Sequence, residues 1–114
     1  MTHPRNELNE HLTHPVRFSL VAALAVAEQA DFASIRDHLQ ISDSVLSRQA
    51  SQLEAAGLVR IKKGYVGKRP RTWLSLTPEG REVWSRHVDA LRAIAELSPS
   101  ATMGPTGDEG ESDG

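Results

Sequence analysis

The sequence predicts an α+β fold, mostly α with a small β-hairpin, and three observations predict it. Apolar residues recur every three or four positions in four segments, at about 15–27, 32–39, 42–56 and 78–97, which is helical spacing. Two short runs, 59–62 and 71–76, instead alternate apolar and polar residues, as half-buried strands do. Gly57, Gly64, Gly67, Pro70 and Pro78 fall between these periodic segments and punctuate them. At 114 residues the chain makes one domain. Aromatics are only 4% of it, so Leu, Ile, Val and Ala must supply most of the core.

Residues 6–12 read as a short helix with Leu8 and Leu12 on one face. Pro15 starts the next helix, with Val16, Leu20, Leu24 and Ala27 in register and alanines that favour helix and permit close contacts. A third helix carries Phe32, Ile35 and Leu39 on one stripe, with Asp31 as its cap, and Gln40-Ile41 make the turn that follows. Ser42 is a suitable N-cap for the fourth, because its hydroxyl accepts from a backbone N–H two or three residues on. Asp43 in the first turn complements the helix dipole.

Within that fourth helix Leu46, Ala50 and Leu53 converge on one side. Ser44, Ser47, Arg48 and Ser51 occupy the opposite arc, with Val45 and Gln52 on the flank. Gly57 stands where a left-handed residue usually ends a helix. Between the two strands, residues 63–70 read as a projecting loop. Thr77 caps the final helix, and Pro78 takes its first position, where the missing N–H costs nothing. That helix carries Val83, Trp84, His87, Val88, Leu91, Ile94 and Ala95, a stripe wider than one side of a small domain covers, which calls for a second chain. Helix, turn, helix, hairpin, helix is the order of a winged helix-turn-helix.

Charge is concentrated rather than large. Six of the 13 Lys/Arg lie between Arg60 and Arg71, and no acid occurs from Ala55 to Pro78. The formal net charge is −2, but four acids sit beyond Leu97, so residues 1–97 carry 13 bases against 11 acids. Residues 98–114, rich in Pro, Gly, Ser and acids without apolar period, read as a disordered acidic tail. A basic hairpin beside a small-residue helix face suits a polyanion, since cations hold phosphates whatever the base sequence.

Other chemistry is poorly served. With no cysteine there is no disulfide framework and no thiolate zinc site. Of the five histidines, His11 and His14 have helix-compatible spacing, but Pro15 breaks that geometry and His87 has no second pair nearby, so no metal site is expected. The Gly64-x-x-Gly67-Lys68 run lacks the four-residue gap and the Ser/Thr of a phosphate loop, and no nucleophile elbow or apolar carboxylate pair occurs. The reading is a non-enzyme without cofactor. The longest apolar run, eight residues at 20–27, is too short for a membrane span, and the first residues lack a secretory signal's apolar stretch, which leads to a cytoplasmic expectation with no membrane partner.

The segments HPVRFSLVAAL, DFASIRDHL, SDSVLSRQASQLEAAGLV, GKRPRTWLSL and LTPEGR, in this order and spacing, resemble the MarR-like winged-helix transcriptional regulators, in particular their short single-domain group. The resemblance covers roughly residues 13–97. It implies a DNA-binding and dimerisation domain over 1–97 and a homodimer whose terminal helices cross-pack. It also implies helix 42–56 in the major groove and the 63–71 wing near phosphates or the minor groove. Many relatives are repressors released by a small ligand, which extends the expectation to a small-molecule effector of unknown identity. This chain differs from full-length members in having a single long C-terminal helix.

On this reading Arg48 is the foremost base contact, since its planar fork matches the acceptor edge of guanine. Val45 meets a thymine methyl, Gln49 and Gln52 read or position, and Ser44, Ser47 and Ser51 bond phosphate. Lys63, Lys68, Arg69 and Arg71 are the wing contacts, and Leu8, Leu12, Trp84, Val88, Leu91 and Ala95 the dimer contacts. The alternative is a winged helix used as a protein-interaction module, its basic wing docking an acidic partner.

Overall fold

The computed structural model describes residues 3–97; the tail expected at 98–114 lies outside the described residues. Four helices and a three-stranded antiparallel sheet follow in order. Helix α1 is Pro15–Ala25, strand β1 Ala30–Asp31, α2 Phe32–Leu39, α3 Asp43–Ala55, β2 Val59–Val66, β3 Arg69–Leu76 and α4 Pro78–Glu96. The sheet order is β1-β3-β2, so β3 is central. β1 is two residues long, too short to show an alternation, and was not legible beforehand.

The caps fall where the residues place them. Ser42 accepts from the N–H of Val45, Asp31 from Ser34, and Thr77 from Gly80. Gly57 takes a φ of 81° after α3, and Gln40 takes 57° after α2, the one non-glycine residue with positive φ among those described. Leu20, Leu24, Leu46, Leu53 and Leu74 are the fully buried centre, with Val21 and Val59 beside them. At Gly80 the first turn of α4 lies directly on the backbone of Leu58, and a Cβ there would overlap that residue's carbonyl oxygen.

Two expectations are corrected. Residues 6–12 do not form one helix: they make two 3-10 turns, Pro4–Glu7 and Glu10–Leu12. Leu8 and Asn9 are extended between them, and the Asn9 side chain caps the second turn by accepting from the N–H of His11. The wing is no eight-residue loop. Strand pairing runs to Val66↔Arg69 and leaves only Gly67-Lys68 as the turn, with Gly67 at φ 63° in the first central position, as a tight hairpin requires. Pro70 is tolerated because β1 pairs only with Leu74 and Trp73, so that end of β3 has a free edge. Gly64 lies in the strand beneath Trp73, whose ring would stand 3.1 Å from an added Cβ. It makes room for the indole rather than mobility.

Candidate nucleic-acid interface

The roll of α3 decides what it offers. Leu46, Ala50 and Leu53 are buried against the body, and Arg36 of α2 bonds Asp43 at 2.8 Å across the turn. Asp37, then Asp43, hold the Arg36 guanidinium above its already high ordinary pKa, so its charge is spent within the helix-turn-helix. With that roll set, Ser44, Ser47, Arg48, Ser51 and Gln52 are exposed and Val45 half-buried. Arg48 enters no ion pair among the described residues.

The hairpin stands beside this face. Lys63, on the same side of β2 as Val59 and Ile61, turns toward α3. With Ser47, Ser51, Thr72 and Glu54 it lines a groove of about 610 Å³ between α3 and the sheet. The hydroxyls and the ammonium supply donors there, and Glu54 adds an acid to the same groove. Lys68 and Arg69 are exposed at the tip, beside Tyr65 and Val66, which are 71% and 51% exposed. The outer face of the hairpin adds Arg60 and Lys62, which share it with Trp73 and Arg71. These two cations belong to the basic cluster between Arg60 and Arg71 but are not among the residues assigned to wing contacts. Arg71 is held at 3.3 Å by Asp31, so it is less free than the other wing cations.

Two assigned residues are placed otherwise. Gln49, assigned to the DNA-facing surface, is 8% exposed, and its Oε1 accepts from Nη1 of Arg17 at 2.9 Å. At 100° per residue it lies between the buried stripe and the open arc, and the long-range partner turns it inward. Leu12, assigned to a contact between chains, is 2% exposed and belongs to the chain's own core. The 3-10 turn folds it under α1.

The other assigned apolar residues lie along the opposite side of the molecule. Leu8, Trp84 and Val88 are half-buried, while Leu91 and Ala95 are exposed. Between the N-terminal turns, α1 and α4 runs a groove of about 420 Å³ lined by Leu8, Leu12, Pro15, Phe18, His87 and Leu91. His87 is buried beside Phe18, at a centroid separation of 5.8 Å, and its Nδ1 accepts the N–H of Asn9 at 3.0 Å. Burial pushes the imidazole pKa down from its ordinary value. It is therefore neutral, with the proton assigned to Nε2 by the bond that Nδ1 accepts.

A family model described as a winged helix DNA-binding domain matches residues 16–95, from the second residue of α1 to one short of the end of α4. The chain belongs to this winged-helix family. A curated protein of Methanocaldococcus jannaschii, "Uncharacterized protein MJ0432", is 27% identical over 81 residues, covering 71% of this chain and 88% of that one. The transcriptional regulator homologue from Pyrococcus horikoshii OT3 superposes with a TM-score of 0.75 at 28% identity, over 84% of this chain and 96% of the other. NadR in complex with 4-hydroxyphenylacetate gives 0.65 at 25%, over 91% and 72%. NadR is a MarR-family regulator, so the winged-helix chain is MarR-like in fold as in motif order. It is a member of a family of DNA-binding transcription regulators. Among the described residues no helix is long and apolar enough to cross a membrane.

Proposed function

We propose that this winged-helix chain is a site-specific, homodimeric binder of duplex DNA that acts as a repressor. The recognition helix α3 enters the major groove, and the wing follows the backbone or the minor groove. One observation carries the reading: among the described residues Arg48 stands exposed and without an acid partner on a serine-flanked helix face, beside a hairpin whose Lys63, Lys68 and Arg69 likewise enter no ion pair there. Small residues around an unpaired guanidinium let a helix backbone come close to base edges while the hydroxyls meet phosphate.

For the dimer, the support is the apolar groove and the exposed end of α4, Leu91 at 40% and Leu97 at 56%. A second copy of the same chain is the occupant proposed for this face. Two copies would present two recognition helices to a palindrome, which is how a domain with little net charge gains site affinity. A dimer seated on both half-sites would block a promoter, hence repression. The likeness to NadR, solved with 4-hydroxyphenylacetate, supports including a small-molecule effector in the same reading.

The test is selection from a randomised duplex pool, followed by Arg48→Ala. The substitution is expected to cost about 1–3 kcal/mol on the selected site and far less on random duplex. Equal losses on both would reassign Arg48 to phosphate. Failure of the native chain to enrich any sequence would remove site-specific binding and leave the protein-docking alternative.

A further inference from the structure

Arg17 lies on α1, outside the helix–wing surface, yet it is bonded to the recognition helix at two places. Its Nη1 donates to Oε1 of Gln49 at 2.9 Å and to Oε1 of Gln52 at 2.8 Å, and its Nε donates to the carbonyl of His11 at 2.7 Å. A guanidinium carries only donors, so both amides must turn their oxygens toward it. We propose that Arg17 is a specificity-determining positioning residue, which fixes Gln52 as a hydrogen-bond donor toward DNA. This rests on the DNA-binding reading of α3.

The geometry makes the orientation stiff. Gln49 is buried, and facing a donor-only guanidinium its oxygen anchors Nη1 from below. The bond to His11 pins the other side of the planar fork to the N-terminal turn. Gln52, by contrast, is exposed. Nη1 of Arg17 takes one lone pair of its oxygen and turns it back toward α1, while both N–H donors of the NH₂ stay uncommitted among the described residues. The adjacent cation also polarises that amide and strengthens its donors.

A glutamine free to choose its orientation reads adenine with oxygen and nitrogen together, accepting from N6 and donating to N7. A glutamine whose oxygen is turned back to a cation offers its donating half first. It favours base edges that present acceptors, N7 and O6 of guanine or O4 of thymine, over adenine, where only the N7 bond of the pair remains. The structure thus assigns Gln52 to an acceptor-bearing position in each half-site, through a residue that need not touch DNA.

The experiment compares the full chain with Arg17→Met, Arg17→Lys and Gln52→Ala by selection from a randomised duplex pool and by titration against single-base variants of the winning site. Arg17→Met frees the Gln52 amide. It should relax preference at one base pair per half-site by about tenfold and admit adenine there, the scale of one base contact. Arg17→Lys restores a donor and should recover most of the preference. In the Gln52→Ala background Arg17→Met should change the base profile no further. An unchanged profile in Arg17→Met, or an equal change with Gln52 absent, overturns the proposal, since a purely structural staple would alter melting and not base choice. Should Arg17→Met not fold, Gln52→Glu decides: a carboxylate satisfies Arg17 but has no donor, so retention of the native preference overturns the proposal too. Failure of the native chain to select any site would sink the DNA-binding reading itself, an outcome distinct from a selected site that Arg17 does not influence.

Discussion

Replacing His87 tests how the N-terminal turns are held on α4. The imidazole is buried at 2% exposure, and its Nδ1 is the acceptor for the backbone N–H of Asn9 at 3.0 Å. His87→Phe keeps a ring beside Phe18 but offers no acceptor, so the Asn9 N–H stays unsatisfied in a part-buried place. Such a group costs about 1–3 kcal/mol. For a domain of this size each kcal/mol moves Tm by roughly 4–8 °C, so Tm should fall by roughly 4–24 °C on those two ranges. His87→Gln can still accept through its amide oxygen and should lose less.

Acidification separates the two roles of the ring. Burial lowers the folded pKa below its ordinary 6.5, so between the two values the unfolded chain binds more protons than the folded one. The contribution is therefore complete above about pH 6.5 and is lost as pH falls below it. Protonated Nδ1 would also meet the Asn9 N–H donor to donor. Thermal melts from pH 8 to pH 5 should show a drop in the native chain that is flattened in His87→Gln. Parallel pH profiles for the two proteins, or a His87→Phe protein as stable as the native one at pH 7.5, would refute this account of the contact.

Three further outcomes are expected. Lys68→Ala with Arg69→Ala, at the exposed wing tip, should lower the salt dependence of DNA binding by about one unit of slope per lost phosphate contact in each half-site; an unchanged slope would move the wing off the backbone. Leu91→Glu should leave the melting of the protomer nearly intact, because Leu91 is already 40% exposed, yet give monomers in sedimentation and weak operator binding. A native chain that sediments as a monomer at micromolar concentration would remove the proposed interface. Gly80→Ala should destabilise by about 3 kcal/mol or more, since the added methyl meets backbone and not a movable side chain; a melting point within a few degrees of native would show that α4 can lift from Leu58.

Much of the fold was legible because its signals are local. The cap at Ser42 depends on Val45 three residues on, and the stop at Gly57 depends on that residue's own φ of 81°. Leu46, Ala50 and Leu53 declare their shared face through helical spacing, and all three are buried. The errors came where the local rule had competition. Gly64 and Gly67 looked equivalent, and only Trp73 arriving on the opposite strand shows that one makes a turn while the other makes space. The N-terminal segment carried leucines at helical spacing, but Asn9 bonds its own neighbour and breaks it.

The candidate site divides along the same line. Periodicity on α3 places Ser44, Ser47, Arg48 and Ser51 on an open face, because exposure there follows from rotation about one axis. It does not say which polar atoms are already committed. Asp31 engages Arg71 from forty residues away, and Arg17 engages Gln49 and Gln52 across 32 and 35 residues. A hydrogen bond of that range depends on how α1 packs on α3, which no window of neighbouring residues contains. Side chains that read as equivalent in the sequence are therefore unequal in the fold: among the described residues Arg48 has no acid partner, Arg71 is tied to an acid, and Gln52 has its oxygen already engaged by Arg17. The proposed recognition surface is thus shaped by residues behind it as well as by those on it, and Arg17→Met, which replaces no residue of α3, is the change that separates the two contributions.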